Sequence, residues 1–127
     1  MSILNIRIYN YKKYGEMMVD SISIASEVEK RLSILFGNSL VKVIIYGSYA
    51  EGGYDEQSDI DLLALVTEND DDIENKRDAI TDIVAEVSSI YNIFVSIIVK
   101  NEKLFYERAE YVPFYMNVAR HGIEIHG

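Results

Sequence analysis

A short, almost wholly apolar run at residues 40–46 constrains the fold of this chain more than any other feature. The run reads Leu-Val-Lys-Val-Ile-Ile-Tyr and stops abruptly at Gly47-Ser48. A brief β-branched run that ends at a turn signal is typical of a strand buried on both faces. Such a strand needs other strands beside it and further layers above and below it. The run therefore predicts a small sheet with helical cover.

Two further apolar runs supply neighbours for this strand. Residues 60–66 form one run, which only Asp61 interrupts, and residues 92–99 form the other. Apolar residues also recur at helical spacing over three segments, 17–36, 73–90 and 114–121. The predicted order is helix, strand, strand, helix, strand, helix. This order indicates the α/β (α+β) class, with a small mixed sheet flanked by helices.

Local residues mark the ends of the predicted helices. Gly37-Asn38 ends the first helix, and the polar run at residues 69–72 suits the N-cap and first turn of the second. Pro113 precedes the last helix, and Gly122 follows it. The helix boundaries therefore rest on residues that favour caps and turns.

The length and charge of the chain limit the classes of function open to it. At 127 residues, the chain is long enough for about one domain. Its 12 Lys and Arg residues against 21 Asp and Glu give a formal net charge of −9, and the basic residues form no run. A long nucleic acid would lack its usual electrostatic contact surface. Small molecules and proteins are the expected partners.

Several residue patterns are missing from the sequence. No apolar run approaches the ~20 residues needed to cross a bilayer, and the first residues lack the pattern of a signal peptide. There is no cysteine, which excludes thiolate metal sites and favours a reducing compartment. We therefore expect a cytoplasmic protein without a membrane partner, in which oxygen or imidazole holds any metal.

The sharpest chemical signal joins the end of the first predicted strand to the start of the second. Gly47-Ser48 and Asp59-Ile60-Asp61 are separated by ten residues. Because alternate residues of a strand face the same side, Asp59 and Asp61 would place two carboxylates about 7 Å apart along one side. Mg²⁺ prefers oxygen ligands and is usually held by one or two carboxylates plus substrate phosphates. The pair therefore suits phosphoryl-type transfer.

Gly47 and Ser48 complement the carboxylates. A glycine at a strand end lets the backbone approach a ligand closely, and a following helix N-terminus offers free N–H groups and a hydroxyl to an anion. Each half of the constellation also has a simpler explanation. Ser48 and Glu51 have the spacing of a capping box. Asp59 and Asp61 equally suit a solvated strand edge or a turn.

The stretch from residue 43 to residue 66, VIIYGSYAEGGYDEQSDIDLLALV, resembles the signature of the minimal nucleotidyltransferases. These proteins are the small single-domain branch of the DNA polymerase β-like nucleotidyltransferase superfamily, and their signature is Gly-Ser, ten residues, then Asp-x-Asp. The resemblance extends from the first predicted helix to the end of the chain. It implies a nucleotidyltransferase domain over residues 17–127, preceded by an N-terminal extension over residues 1–16.

The resemblance also implies a site and an activity. Carried over by position, Gly47 and Ser48 would contact the triphosphate, while Asp59 and Asp61 would hold Mg²⁺ and carry catalysis. The implied reaction transfers a nucleotidyl group, AMP from ATP, to an acceptor hydroxyl. Relatives commonly pair with a HEPN-domain toxin, act as its antitoxin and modify one of its tyrosines. The alternative is a catalytically impaired module that binds nucleotide or acts on a partner by contact.

The chain departs from the family pattern at two places. Glu51 stands where many relatives have arginine. The family's third carboxylate lies on a later strand, yet residues 92–100 contain neither Asp nor Glu, and Ser96 stands at the expected place. Glu102 and Glu107 are candidates for a substitute general base only because they lie within reach. The simpler interpretation of each is a charge on a solvated helix surface.

The aromatic N-terminal segment has no assigned role in this scheme. Tyr9, Tyr11 and Tyr14 suit core or interface positions, and they could alternatively accept a nucleotidyl group within the chain. The segment, together with strands whose edges need covering, is compatible with a homo-oligomer.

Overall fold

Helices cover both faces of a four-stranded sheet in a computed structural model of the chain, which describes residues 3–52 and 59–126. The strands are β1 (Leu40–Tyr46), β2 (Ile60–Val66), β3 (Val95–Asn101) and β4 (Ile123–His126). The helices are α1 (Ile3–Phe36), α2 (Ser48–Glu51), α3 (Asp70–Asn75), α4 (Arg77–Tyr91), α5 (Glu102–Arg108) and α6 (Pro113–His121). A 3-10 turn, Gly37–Ser39, joins α1 to β1.

The sheet is mixed, as the sequence predicts. Its strand order is β3-β2-β1-β4. β1 runs antiparallel to β2 and to β4, whereas β2 and β3 run parallel. The chain between the two parallel strands forms α3 and α4, because a parallel connection must carry the chain back along the sheet. Within the described residues, β3 and β4 are the edge strands.

The central strands β1 and β2 are covered on both faces, which confirms the prediction from their apolar runs. On one face, the sheet packs against α1 and α4, where Val28 and Val87 are fully buried. On the other face, Leu63 packs with Phe105 of α5 and Val118 of α6. The two apolar layers are what strands without polar alternation require.

The first helix begins much earlier than the sequence pattern predicts. The predicted start at residue 17 is wrong, because α1 begins at Ile3 and continues through Gly15. A glycine inside a helix costs about 1 kcal/mol relative to alanine, which a long helix can absorb. The predicted boundary between residues 16 and 17 therefore falls inside one continuous helix.

The predicted helix over 73–90 is divided at Lys76, which has φ −102° and ψ 6°. The Lys76 ammonium pairs with Glu68 and lies 5.0 Å from the centroid of the Phe36 ring. These contacts turn the side chain back toward the start of α3 and toward the end of α1. They come from tertiary structure, so the apolar periodicity does not reveal the break.

Asparagine residues fix three other boundaries. Asn69 Oδ1 accepts a hydrogen bond from the Asp72 N–H at 2.9 Å, which confirms the predicted cap. Asn92 adopts the left-handed conformation (φ 52°) that ends α4, so β3 begins later than predicted. Asn101 accepts from the Leu104 N–H at 3.1 Å and caps α5, a helix absent from the predicted order.

The last helix follows the prediction, since α6 begins with Pro113 and ends before Gly122. β4 then lies at the edge of the sheet, a strand that the predicted order lacks. None of the helices in the described part of the chain has the length and apolar character that a bilayer crossing requires.

Candidate active site

Three polar side chains form one row across the sheet. The strand register pairs Tyr46 of β1 with Asp61 of β2, and Asp61 with Ser96 of β3. Residues that are opposite each other in paired strands project from the same face. This is the face that α6 covers, since the Phe114 ring lies edge-on to Tyr46 with centroids 5.4 Å apart. Asp59 lies just before β2 and is exposed.

Gly47 lets the Asp61 carboxylate approach the backbone where β1 ends. Its dihedral angles, φ 74° and ψ −149°, belong to a region open essentially to glycine alone. A Cβ atom at residue 47 would lie 2.7 Å from Asp61 Oδ2, which is closer than real Cβ contacts. The missing side chain therefore leaves the space that the carboxylate occupies. This contact joins the two halves of the sequence motif.

Asp59 and Asp61 are close enough to act as a pair of like charges. Burial raises the pKa of the Asp61 carboxyl group, and the charge of Asp59 raises it further. Neither carboxylate forms an ion pair with a described residue. Two carboxylates that repel each other and have no counter-ion among the described residues fit the preference of Mg²⁺ for oxygen ligands.

The described side chains supply no third metal ligand beside Asp59 and Asp61. Among them, no group of three or more His, Asp or Glu residues is placed to hold a metal ion. The position next to Asp61 on β3 belongs to Ser96, as the sequence comparison with the family pattern predicts. Among the described residues, the site therefore has two carboxylates, Asp59 and Asp61. Any further ligands of a metal ion would be substrate phosphates and water.

Tyr46 closes the row on the β1 side. Burial and the charge of Asp61 raise the pKa of its phenol to about 12, while a hydrogen bond from Ser96 acts in the opposite direction. The phenol therefore stays protonated throughout the neutral range. Tyr46 holds its hydroxyl beside Asp61 and Ser96 as a neutral group.

The structure places Ser48 directly after Gly47, at the first residue of α2. Gly47 is the N-cap of this short helix, and its carbonyl accepts from the Ala50 N–H at 3.1 Å. A capping box needs Ser48 at the N-cap, so that interpretation of Ser48 is wrong. The other half of the box, the Glu51 side chain, lies outside the described side chains.

Glu102 and Glu107 do not belong to this site. Asp61 pairs with Ser96 near the start of β3, whereas Glu102 follows Asn101 at its far end, about 20 Å away along the strand. α5 stays at that end, where the hydroxyl of its Tyr106 accepts from Lys42 Nζ at 2.8 Å. Of the two interpretations of these glutamates, general base and solvated helix charge, the structure favours the second, because the strand direction carries them away from Asp59 and Asp61.

Sequence reasoning missed Tyr46 and Phe114 as parts of the site. Tyr46 is the last residue before Gly47, and the strand pairing alone places it opposite Asp61. Phe114 follows the proline that begins α6 and is partly exposed over Tyr46. For Tyr46, the available sequence signal was an aromatic residue directly before the Gly-Ser pair. No local signal identifies Phe114.

Comparisons with known proteins match most of the chain to one family. A model described as "Nucleotidyltransferase domain" matches residues 25–120. In Methanocaldococcus jannaschii, a protein named "Putative protein adenylyltransferase" is 34% identical over 107 residues, covering 84% of this chain and 100% of that protein. A second protein of that organism and description is 31% identical over 96 residues, covering 76% of this chain and 88% of that protein.

Solved structures share the fold at lower identity. The structure of a protein described as a "putative nucleotidyltransferase" from Sulfolobus solfataricus aligns with a TM-score of 0.61 and 20% identity over 87% of this chain and 84% of that chain. A toxin-antitoxin structure with AMP-PNP aligns with a TM-score of 0.53 and 17% identity over 81% of this chain and 73% of that chain. Both comparisons support the fold of the sheet and its helices.

Proposed function

This chain belongs to the nucleotidyltransferase domain family, and on that basis we propose that it transfers AMP from ATP to a hydroxyl group of another protein. The observation that carries the proposal is the contact between Gly47 and Asp61. It brings the Gly-Ser pair and the Asp-x-Asp pair of the chain to one point at the end of the sheet. The names of the M. jannaschii relatives support the choice of adenylyl group.

In this proposal, Gly47 and Ser48 contact the triphosphate, and Asp59 and Asp61 hold Mg²⁺. Gly47 has no side chain to separate its backbone from the Asp61 carboxylate and a ligand held there, and Ser48 follows it with a hydroxyl group. When bound, Mg²⁺ supplies positive charge that stabilises the charge developing on the phosphate oxygens. Tyr46 and Ser96 border the carboxylates as neutral hydroxyl groups that can orient an incoming acceptor.

The proposed reaction is an in-line displacement at the α-phosphorus of ATP. The acceptor oxygen forms a bond to this phosphorus, and the bond from the α-phosphorus to the oxygen bridging to the β-phosphate breaks. The electron pair of that bond leaves with pyrophosphate, and the acceptor proton passes to water. The chain's own contribution is to bind the triphosphate and to orient the acceptor.

We propose a tyrosine of a HEPN-domain toxin as the acceptor. A domain of 127 residues can hold a nucleotide but has little surface left to enclose a second substrate. A partner protein would bring its own binding surface. The toxin-antitoxin structure with AMP-PNP that shares this fold supports both a nucleotide and a protein partner.

Calorimetric titration of ATP with and without Mg²⁺ tests the nucleotide site. The wild-type chain should bind ATP only with Mg²⁺, and Asp59→Asn/Asp61→Asn should lose this binding. Asp78→Asn/Asp82→Asn is the matched control, because it removes the same two charges from the exposed surface of α4. Metal-independent binding, or unchanged binding by the site variant, would contradict the proposal.

Loss of ATP binding must be distinguished from loss of folding. Without metal or nucleotide, we expect Asp59→Asn/Asp61→Asn to be at least as stable as the wild type. The two carboxylates repel each other, and burial of Asp61 disfavours its ionised form. Amide side chains relieve both effects. Thermal unfolding in EDTA checks this directly.

A second candidate function is a module that binds a partner and neutralises it by contact. The observation that favours it is Ser96, which stands beside Asp61 where the family pattern has a third carboxylate. Asp61→Asn separates the two functions. If partner neutralisation survives this change undiminished, catalysis is not the mechanism.

A further inference from the structure

The outer edge of β3 lies next to the candidate active site. β3 pairs with β2 on one side, and no described strand pairs with its other side. Ser96 lies near its start, in register with Asp61, and Lys100 lies near its end. An unpaired edge beside a reactive site offers backbone groups to another chain.

The hydrogen bonds at the start of β3 show which backbone groups face this edge. The Phe94 carbonyl accepts from the Ile60 N–H of β2 at 3.0 Å, whereas the Val95 N–H turns away and donates to Ser88 Oγ at 3.1 Å. Because the backbone groups of successive strand residues point to opposite sides, Ile97 and Val99 also point theirs away from β2. These two residues carry the N–H and C=O groups of the free edge.

A groove of about 530 Å³ follows this part of the edge and has apolar walls on both faces of the sheet. Phe114 and Tyr115 of α6 line it together with Ile98 on the active-site face. Ile80 and Val84 of α4 line it on the other face. An extended chain added to β3 would therefore find apolar surface for side chains on both of its own faces.

The groove borders the candidate active site at Phe114. Phe114 contacts both regions, since its ring packs on Tyr46 and also lines the groove. A strand added to β3 would lie two strand spacings, roughly 10 Å, from β2. Its residue opposite Ser96 would project from the same face as Asp61. A tyrosine is long enough to bring its hydroxyl across most of that distance.

The charge of the groove limits what can bind there. Arg77 and Glu74 both line the groove and are paired with each other through hydrogen bonds of 2.7–2.9 Å. Lys100 also lines it and forms no ion pair with a described residue. An acidic residue opposite Lys100 would complement its charge. Since Ser96 and Lys100 lie four residues apart along β3, the hydroxyl and the acid should be four residues apart in the bound segment.

We propose that the acceptor protein docks as an extended segment that adds a strand to the free edge of β3, with its tyrosine opposite Ser96 and an acidic residue opposite Lys100. This inference rests on the proposed adenylyl transfer and states how the acceptor reaches it. Backbone hydrogen bonds to Ile97 and Val99 give the segment its register. The apolar walls select its other side chains.

A peptide library tests the docking mode. The probe is a set of heptapeptides with one tyrosine and one glutamate four residues apart, in both orders and with the other positions random. Transfer of label from [α-³²P]ATP to the peptides is measured with Mg²⁺. Labelling should require both the tyrosine and the glutamate. It should fall at least tenfold when phenylalanine replaces the tyrosine, and also when glutamine replaces the glutamate.

Backbone methylation provides the decisive control. One peptide version carries N-methyl groups on the first and third residues between tyrosine and glutamate, and the other carries one on the second. Alternate residues of an added strand point toward β3, so one version should lose at least tenfold in labelling and the other should not. Equal labelling of the two versions would overturn the inference.

Substitutions on α4 test the groove itself. Thr81 lines the groove and is exposed, whereas its exposed neighbour Asp82 does not line it. Thr81→Trp should fill the groove and reduce peptide labelling at least tenfold, and Asp82→Trp should stay within twofold of the wild type. Equal effects of the two tryptophans would place the acceptor elsewhere.

Calorimetry with ATP and Mg²⁺ on the wild-type chain separates the two proposals. If ATP binds but no peptide is labelled, docking of an extended segment is overturned and the nucleotide site stands. If ATP does not bind, the proposed function itself fails.

Discussion

Replacing Gly47 with alanine tests the contact that joins the two halves of the motif. In the wild type, φ is 74°, and a Cβ atom would lie 2.7 Å from Asp61 Oδ2. Alanine must therefore strain the backbone and displace the carboxylate. Gly37→Ala is the matched control, because Gly37 also has a positive φ of 57°, but a Cβ atom there would meet nothing within 4 Å.

The size of the effect follows from these two costs. An L-residue in a left-handed conformation costs roughly 1–2 kcal/mol, which is the whole expected effect at Gly37. The rarer dihedral region of Gly47 costs roughly 1–3 kcal/mol, and the displaced carboxylate adds to it. For a chain of this length, the unfolding entropy converts 1 kcal/mol into about 4 °C of Tm. We expect Gly47→Ala to lower Tm more than Gly37→Ala.

The assay combines thermal unfolding in EDTA with titration of ATP and Mg²⁺. Gly37→Ala should lose stability but keep the wild-type ATP affinity, whereas Gly47→Ala should bind ATP at least tenfold more weakly, about 1.4 kcal/mol. If Gly47→Ala unfolds at the same temperature as Gly37→Ala and binds ATP like the wild type, the close approach of Asp61 has no functional meaning.

Three further predictions concern the neighbours of this contact and the core. Ser96→Asp should lower the Mg²⁺ concentration for half-maximal transfer about tenfold and lower Tm in EDTA, because it adds a third carboxylate beside Asp61; an unchanged metal requirement would argue against the metal site. Tyr46 has a pKa raised to about 12, so the folded state should lose stability as pH rises from about 10 to about 12, and this loss should be smaller in Tyr46→Phe when unfolding is followed in urea. Phe105→Ala should cost about 3–5 kcal/mol in urea unfolding because the ring is 1% exposed, whereas Tyr111→Ala, at 70% exposed, should cost less than about 1 kcal/mol.

The strands were the most predictable part of the fold. The runs at residues 40–46 and 60–66 became β1 and β2 with the predicted bounds, since burial on both faces leaves an unbroken apolar signal. The predicted carboxylate pair also lies at the start of β2, because the alternation of side chains along a strand is a local property. Its role in binding metal stays a prediction.

Features that depend on distant contacts were not predictable. At the break between α3 and α4, Lys76 contacts Glu68 and Phe36, and both residues lie outside these two helices. The position of Tyr46 opposite Asp61 depends on the register of β1 and β2. The exclusion of Glu102 depends on the direction of β3. None of these three follows from the residues around it.

The register of β1 and β2 also fixes the relative positions of two site residues. Tyr46 and Asp61 are held opposite each other by the ladder that continues to Leu40 and Val66. The position of the carboxylate is thus anchored by the core of the sheet. A substitution that disturbs this ladder should therefore displace Asp61 even when the substituted residue lies far from the site.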